Sequence, residues 1–326
     1  MPLNNSAGSL PFDSLLDRPL NSRTALVFPG QGAQHIGMGR DLLEFSPAAR
    51  TVFEQADAAL GESISRVCFE GPEETLRDTA NAQPAILTTA AAYLAATIEA
   101  GALTERPFCV AGHSLGQYSA LLAAGSLSLT DAVTLVRARG QIMARESEIN
   151  RGAMAAILGL DESSVREICR ESGAEPANYN GPTQVVVGGD IAAIERATSL
   201  AKKRGGKVLA VKVAGAFHTS LMEGASAAFA PVLAAVPLRD ATVPVVSNVT
   251  ALPLTHAAAM RADLLEQVAR PVLWAQSVMW MLEQGIDTFV EIGPGKTLSG
   301  MLKRIAPDAH AINIDSVDAL SGVLRV

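Results

Sequence analysis

Cysteine is scarce in this sequence, and its distribution argues against two roles at once. Cys68, Cys109 and Cys169 are odd in number, widely spaced and set in apolar or helical surroundings, so they suggest neither a disulfide framework nor a zinc knuckle. They read as buried thiols in a reducing cytosol, and the expected location is cytoplasmic. Charge of one sign is lacking as well: 26 Lys plus Arg stand against 33 Asp plus Glu, a net of −7, so no global basic field attracts nucleic acid. Long hydrophobic runs are also absent. The longest apolar stretch, TTAAAYLAATIEAGAL, is alanine-rich, contains Glu99 and falls short of the roughly 20 residues a membrane span needs. The opening MPLNNSAGSLPFDSLLDRPLNS has neither a basic n-region nor a continuous apolar core. It is not read as a signal peptide, and residues 1–22 are expected to be a poorly ordered leader.

What is present is the composition of a compact enzyme-sized body, 326 residues with 48% hydrophobic and 18% charged. RTALVFPGQGAQ reads as a strand over 24–28 broken by Pro29-Gly30, and PFCVAG as a second buried strand ending at Gly112. Between them, SPAARTVFEQADAAL and QPAILTTAAAYLAATIEA have helical periodicity, the second with Pro84 placed in its first turn. Strands alternating with helices predict a parallel central sheet covered by helices. From Gly152 the rhythm changes to MAAILG, DESSVREICRESG, EPANYN, TQVVVGG, IAAIERATSLAKKRG and KVLAVKV. That is β-α-β-β-α-β, the ferredoxin-like order. The expected architecture is α/β, with a large α/β-hydrolase-like subdomain over 23–151 and 215–318 and a small inserted ferredoxin-like subdomain over 152–214.

Chemistry concentrates in a few places. Gly112-His113-Ser114-Leu115-Gly116, between a strand and a helix, fits the G-x-S-x-G nucleophile elbow. Its serine stands at a helix N-terminus, where the Leu115 backbone N–H and the helix dipole favour an oxyanion. A serine needs a base, and only five histidines exist: His35, His113, His218, His256 and His310. His113 adjoins the nucleophile and points differently, so it reads as pocket lining. His256 and His310 sit in polar surroundings without a motif. His218, in KVAGAFHTSLM after a strand and a glycine-containing turn, is the expected base.

The helix DAVTLVRARGQIMARE carries the substrate clue. Arg139 falls on the same face as Ala132, Leu135, Val136, Ile142 and Met143. An arginine aimed inward must meet an anion, either an internal carboxylate or a substrate carboxylate held by its planar fork. Gln31, between Gly30 and Gly32, is displayed at the same sheet edge as Ser114, where its side-chain amide is expected to complete an oxyanion hole. GPGKT at 293–297 invites a phosphate-loop reading, but the glycine that loop requires at 290 is Val290.

In order along the chain, FPGQGAQ, GHSLGQYSAL, Arg139, GAFHTSLM, SNVT and EIGPGKTLSG resemble the malonyl-CoA:acyl carrier protein transacylases and the related acyltransferases of polyketide synthases. The similarity runs from about Arg23 to about Ile305. It implies that Ser114 forms a malonyl ester, His218 is its base and Arg139 grips the free carboxylate. It also implies an oxyanion hole from Gln31 and the Leu115 N–H, and a pocket that includes His113 and Met143. Backbone carbonyls orient the histidine in this family, and LLEQVARPVLW points to Gln267 for that role, with Asn248 nearby. Phe217 matches the malonyl-selecting form of the motif, in which the ring crowds an α-methyl branch. Gln117 departs from the family's usual glutamate. The resemblance further implies no metal or other cofactor, a monomer, malonyl-CoA and phosphopantetheinylated acyl carrier protein as partners, and a supply of malonyl groups to fatty-acid or polyketide synthesis. The rival readings are an α/β serine hydrolase or thioesterase, favoured by the elbow alone, and a non-catalytic carrier-protein-binding subunit.

Overall fold

Alternating strands and helices sort into two sheets in the computed structural model, which describes residues 10–324. The strands are β1 (Leu20–Phe28), β2 (Arg106–Gly112), β3 (Ala153–Leu158), β4 (Glu175–Gly181), β5 (Gln184–Gly189), β6 (Lys207–Val211), β7 (Val245–Val246), β8 (Pro253–Leu254), β9 (Thr288–Ile292) and β10 (His310–Ile314). The larger sheet has the order β10-β9-β1-β2-β7-β8. It is parallel from β10 through β7, and β8 closes one edge antiparallel. Ala25, Leu26, Val27 and Phe28 of β1 are all buried, because a parallel strand covered on both faces needs apolar residues in succession rather than in alternation. Among the described residues no helix is long and apolar enough to cross a membrane.

The smaller sheet, order β4-β5-β3-β6, is wholly antiparallel and has the ferredoxin-like arrangement. Strand alternation gives it two distinct faces. Ala155, Ile157, Tyr179, Val185 and Val187 pack with the helices Glu162–Ser172 and Ile191–Lys203. Met154, Asn178, Asn180 and Val186 face the other way, toward the large sheet. Two backbone bonds tie the parts together at the rim: Tyr179 N–H donates to the Val272 carbonyl and Val272 N–H to that of Ala177, both at 2.9 Å.

Two expectations need correction. Within the supposed leader, Phe12–Leu16 is a helix with Phe12 and Leu15 buried, and β1 starts at Leu20, paired with Arg106. These few apolar residues find a core only through tertiary packing, which a short segment without periodicity does not announce. Residues 1–9 of the expected leader lie outside the described residues. The helix expected to begin beside Pro84 begins at Thr79, with the Asp78 side chain accepting from Ala80 N–H at 2.8 Å. Pro84 therefore lies inside the helix, where it cannot donate to the Ala80 carbonyl. Arg137 Nη1 takes that carbonyl instead, at 2.8 Å.

Candidate active site

The carboxyl ends of β1 and β2 meet at one cleft edge. Ser114 turns the chain from β2 into the helix Gly116–Ala123 with φ of +51°, in the left-handed region. The flanking glycines make the turn possible by close approach. A β-carbon at 112 would stand 1.9 Å from the Gly116 carbonyl carbon, and one at 116 would stand 2.1 Å from the Phe28 carbonyl oxygen. Helix and strand are thus seated directly on one another, and the serine is pushed outward.

Ser114 Oγ lies 2.7 Å from His218 Nε2. His218 Nδ1–H donates to the backbone carbonyl of Gln267 at 2.7 Å, which fixes the tautomer with Nε2 free to accept the serine proton. His218 also has positive φ, +62°, and is buried. Burial first, then the Arg139 charge, push its pKa down to about 3, against a smaller upward effect of the carbonyl. The ring is a neutral acceptor. Among the described residues no acid completes a triad; the serine and histidine form a dyad braced by a main-chain dipole.

Arg139, on the helix Leu129–Ile149, is 1% exposed. Nη1 donates to Gln83 Oε1 at 2.8 Å, and Nη2 to Gln267 Oε1 at 3.0 Å and to Ser114 Oγ at 3.2 Å. Among the described residues its Nε has no hydrogen-bond partner, and the guanidinium stands 5.3 Å from the centre of the Tyr118 ring. Among the described residues no carboxylate pairs with it, so the internal salt bridge left open by the sequence is absent. Burial depresses its pKa. A buried cation with neutral acceptors, one free N–H and a nucleophile beside it is arranged to receive an anion.

A cavity of about 170 Å³ surrounds these groups, lined among others by Gln31, His113, Leu115, Met143, Phe217 and Met301. His113 Nε2–H donates to Asn180 Oδ1 at 2.8 Å, and burial lowers its pKa. It stays at the wall, away from Ser114 Oγ. The Gln31 side-chain amide donates one of its two N–H groups to Thr79 Oγ1 at 3.3 Å. Gln31 and Leu115 line the cavity, and their backbone N–H groups meet no acceptor among the described residues. Among the described residues, Asn248 makes no hydrogen bond to His218. Its Oδ1 accepts from Ser114 N–H and its Nδ2 donates to the Gly112 carbonyl, both at 2.7 Å. The asparagine braces the elbow because its amide matches one donor and one acceptor of that turn.

Sequence reasoning missed Gln83, Asn178, Asn180 and Asp263. A lone amide at the head of an apolar helix was a signal for Gln83, since a buried amide needs partners. Period-two spacing puts Asn178 and Asn180 on one strand face. Asp263 gave none. Gln117 bridges Asp263 Oδ2 at 2.6 Å and Gln267 Nε2 at 2.7 Å, so both ends of the amide that replaces the usual glutamate have partners. The rejected phosphate loop is closed by chemistry: Glu291 caps the helix Thr297–Ile305, accepting from Leu298 N–H at 3.0 Å and Ser299 N–H at 2.7 Å.

Elbow, dyad and inward arginine on this fold define an acyl-transferring enzyme with a serine nucleophile. A family model described as acyl transferase domain matches residues 25–316, and the chain belongs to that family. A malonyl CoA-acyl carrier protein transacylase from Bacillus subtilis is 44% identical over 290 residues, 87% of this chain and 90% of the relative. Among solved structures, a malonyl-CoA:acyl carrier protein transacylase from Xanthomonas oryzae superposes with TM-score 0.89 at 40% identity, covering 94% of this chain and 98% of the other. A malonyl-transacylase in complex with its type II polyketide synthase acyl-carrier protein matches with TM-score 0.89 at 37% identity, over 93% of this chain and 99% of the other.

Proposed function

We propose that this chain transfers a malonyl group from malonyl-CoA to the phosphopantetheine thiol of acyl carrier protein, through an ester on Ser114, supplying fatty-acid or polyketide synthesis. The observation that carries the reading is Arg139, buried with no carboxylate partner among the described residues and 3.2 Å from Ser114 Oγ. Ser114 Oγ attacks the thioester carbonyl as its proton passes to His218 Nε2. The Gln267 carbonyl steadies the imidazolium that results, and the N–H groups of Gln31 and Leu115 receive the oxyanion. The carbon–sulfur bond breaks, the proton goes to the departing sulfur, and CoA leaves as its thiol. The carrier's thiol then gives its proton to His218 and attacks the ester, restoring the serine hydroxyl as the second tetrahedral intermediate collapses. Every side chain in this scheme comes from one chain, so a monomer suffices. No metal or redox group is called on.

The malonyl carboxylate has a second effect. Arg139 lowers the basicity of His218, and an anion on the guanidinium offsets that field. Carboxylate recognition therefore strengthens the base at the moment it is needed. Mass spectrometry of the protein mixed with malonyl-CoA tests the reading. A malonyl adduct that carrier protein discharges and water does not is expected, and Ser114→Ala should abolish it. Rapid loss to water would favour a hydrolase, and no adduct at all a binding subunit.

A further inference from the structure

Asp263, on the helix Ala257–Gln267, is a buried carboxylate that the chemistry above does not use. Among the described residues it pairs with no cation. Its oxygens accept from the Ser247 hydroxyl and from Gln117 Nε2, the latter at 2.6 Å. Arg139 presents the complementary oddity, a buried guanidinium without an anion. Two amides join them: Gln117 Oε1 accepts from Gln267 Nε2 at 2.7 Å, and Gln267 Oε1 accepts from Arg139 Nη2 at 3.0 Å. Because an amide donates only from nitrogen and accepts only at oxygen, the chain runs in one sense, from Arg139 through Gln267 and Gln117 to Asp263. The main chain enforces the same sense. The Ser114 carbonyl takes Gln267 Nε2 at 3.0 Å, and Asn248 N–H donates to Gln117 Oε1 at 3.3 Å.

We propose that Asp263 is the remote counter-charge of Arg139, acting through these two amides, and is thereby a positioning residue for recognition of the acyl carboxylate. Two isolated buried charges of opposite sign are each unfavourable, whereas hydrogen bonds in series polarise one another. The anion at one end strengthens the acceptor that Gln267 offers at the other. Nη2 is the arginine nitrogen within 3.2 Å of Ser114 Oγ, so holding it holds the carboxylate cradle beside the nucleophile. An acyl group without a carboxylate does not depend on that cradle. The inference rests on the malonyl reading above.

Asp263→Asn removes the charge and keeps the shape. The malonyl-CoA concentration that half-saturates Ser114 acylation should rise about tenfold, the weight of one charge-assisted hydrogen bond, while acetyl-CoA acylation changes by less than about twofold because it makes no such bond. Adding Gln117→Glu returns a carboxylate one step closer to Arg139. The relay stays connected, since the new amide at 263 donates to the new carboxylate at 117, which accepts from Gln267. This double variant should recover the malonyl preference, and it decides alone if the single variant does not fold. Equal losses with both substrates, tighter malonyl-CoA binding, or a folded double variant without the preference would each overturn the relay. A wild-type protein that takes no malonyl group at all would overturn the functional reading instead.

Discussion

Ser114 and His218 face each other with φ of +51° and +62°, a region that side chains with a β-carbon enter only when the surroundings hold them there. What holds them is polar and buried: Asn248 on the serine N–H, the Gln267 carbonyl on the imidazole, Arg139 beside the hydroxyl. Arg139 is where recognition and reactivity meet. Replacing it with alanine removes contacts to a charged group worth roughly 1.5–3 kcal/mol each. Steady-state kinetics should therefore show kcat/KM for malonyl-CoA falling by about 10- to 100-fold relative to acetyl-CoA. An unaltered ratio would mean the guanidinium meets no substrate carboxylate. That residue was legible in the sequence because a charge on a helical apolar stripe breaks a period, and a broken period is a local signal. The function of Asn248 was not. Its contact with Ser114 spans 134 positions, and no local pattern encodes which of two neighbouring backbones an amide will brace.

Elements were legible where periodicity and glycine punctuation agree. The β-α-β-β-α-β succession and the strand–turn–helix around Ser114 both follow from residues next to one another in the chain. The helix Phe12–Leu16 and the extension of the 79–99 helix past Pro84 were not legible, because Leu15 is buried through tertiary packing and the Ala80 carbonyl takes a donor from Arg137 on another helix. Glycines give this scale its test. Gly116→Ala drives a β-carbon to 2.1 Å from a backbone oxygen of β1, which cannot yield without separating helix from strand. Gly300, inside the helix Thr297–Ile305, has open space around its would-be β-carbon. Alanine there should add about 0.5–1 kcal/mol through helix propensity. In urea melts at neutral pH, Gly300→Ala should unfold at higher denaturant than the wild type and Gly116→Ala at much lower. Similar midpoints for all three would contradict the close seating of the elbow.

Across the whole molecule, buried titratable groups set how stability follows pH. His218 ordinarily titrates at 6.5, and in the fold it stays neutral down to about 3. Between those values the unfolded chain binds a proton that the folded chain does not. The contribution of the neutral buried ring is therefore whole above pH 6.5 and is lost progressively as pH falls toward about 3. His113 shifts in the same direction through burial. Asp263 and Glu291 act oppositely: burial raises both, so the folded chain keeps protons that the unfolded chain has released, and their contribution fades as pH rises. Above pH 5 the unfolded carboxylates are already ionised and the unfolded histidines are still taking up protons. At about 1.4 kcal/mol per pH unit, His218 alone should lower stability by about 2 kcal/mol between pH 6.5 and 5. Urea unfolding of the wild type and of His218→Gln at those two values isolates that share, because glutamine cannot titrate while the remaining groups stay in place. The acid-induced loss should be smaller in the variant by about that amount. Equal losses in the two proteins would mean that the imidazole is protonated in the fold as readily as in water, and that the cleft leaves Ser114 without a neutral base in mild acid.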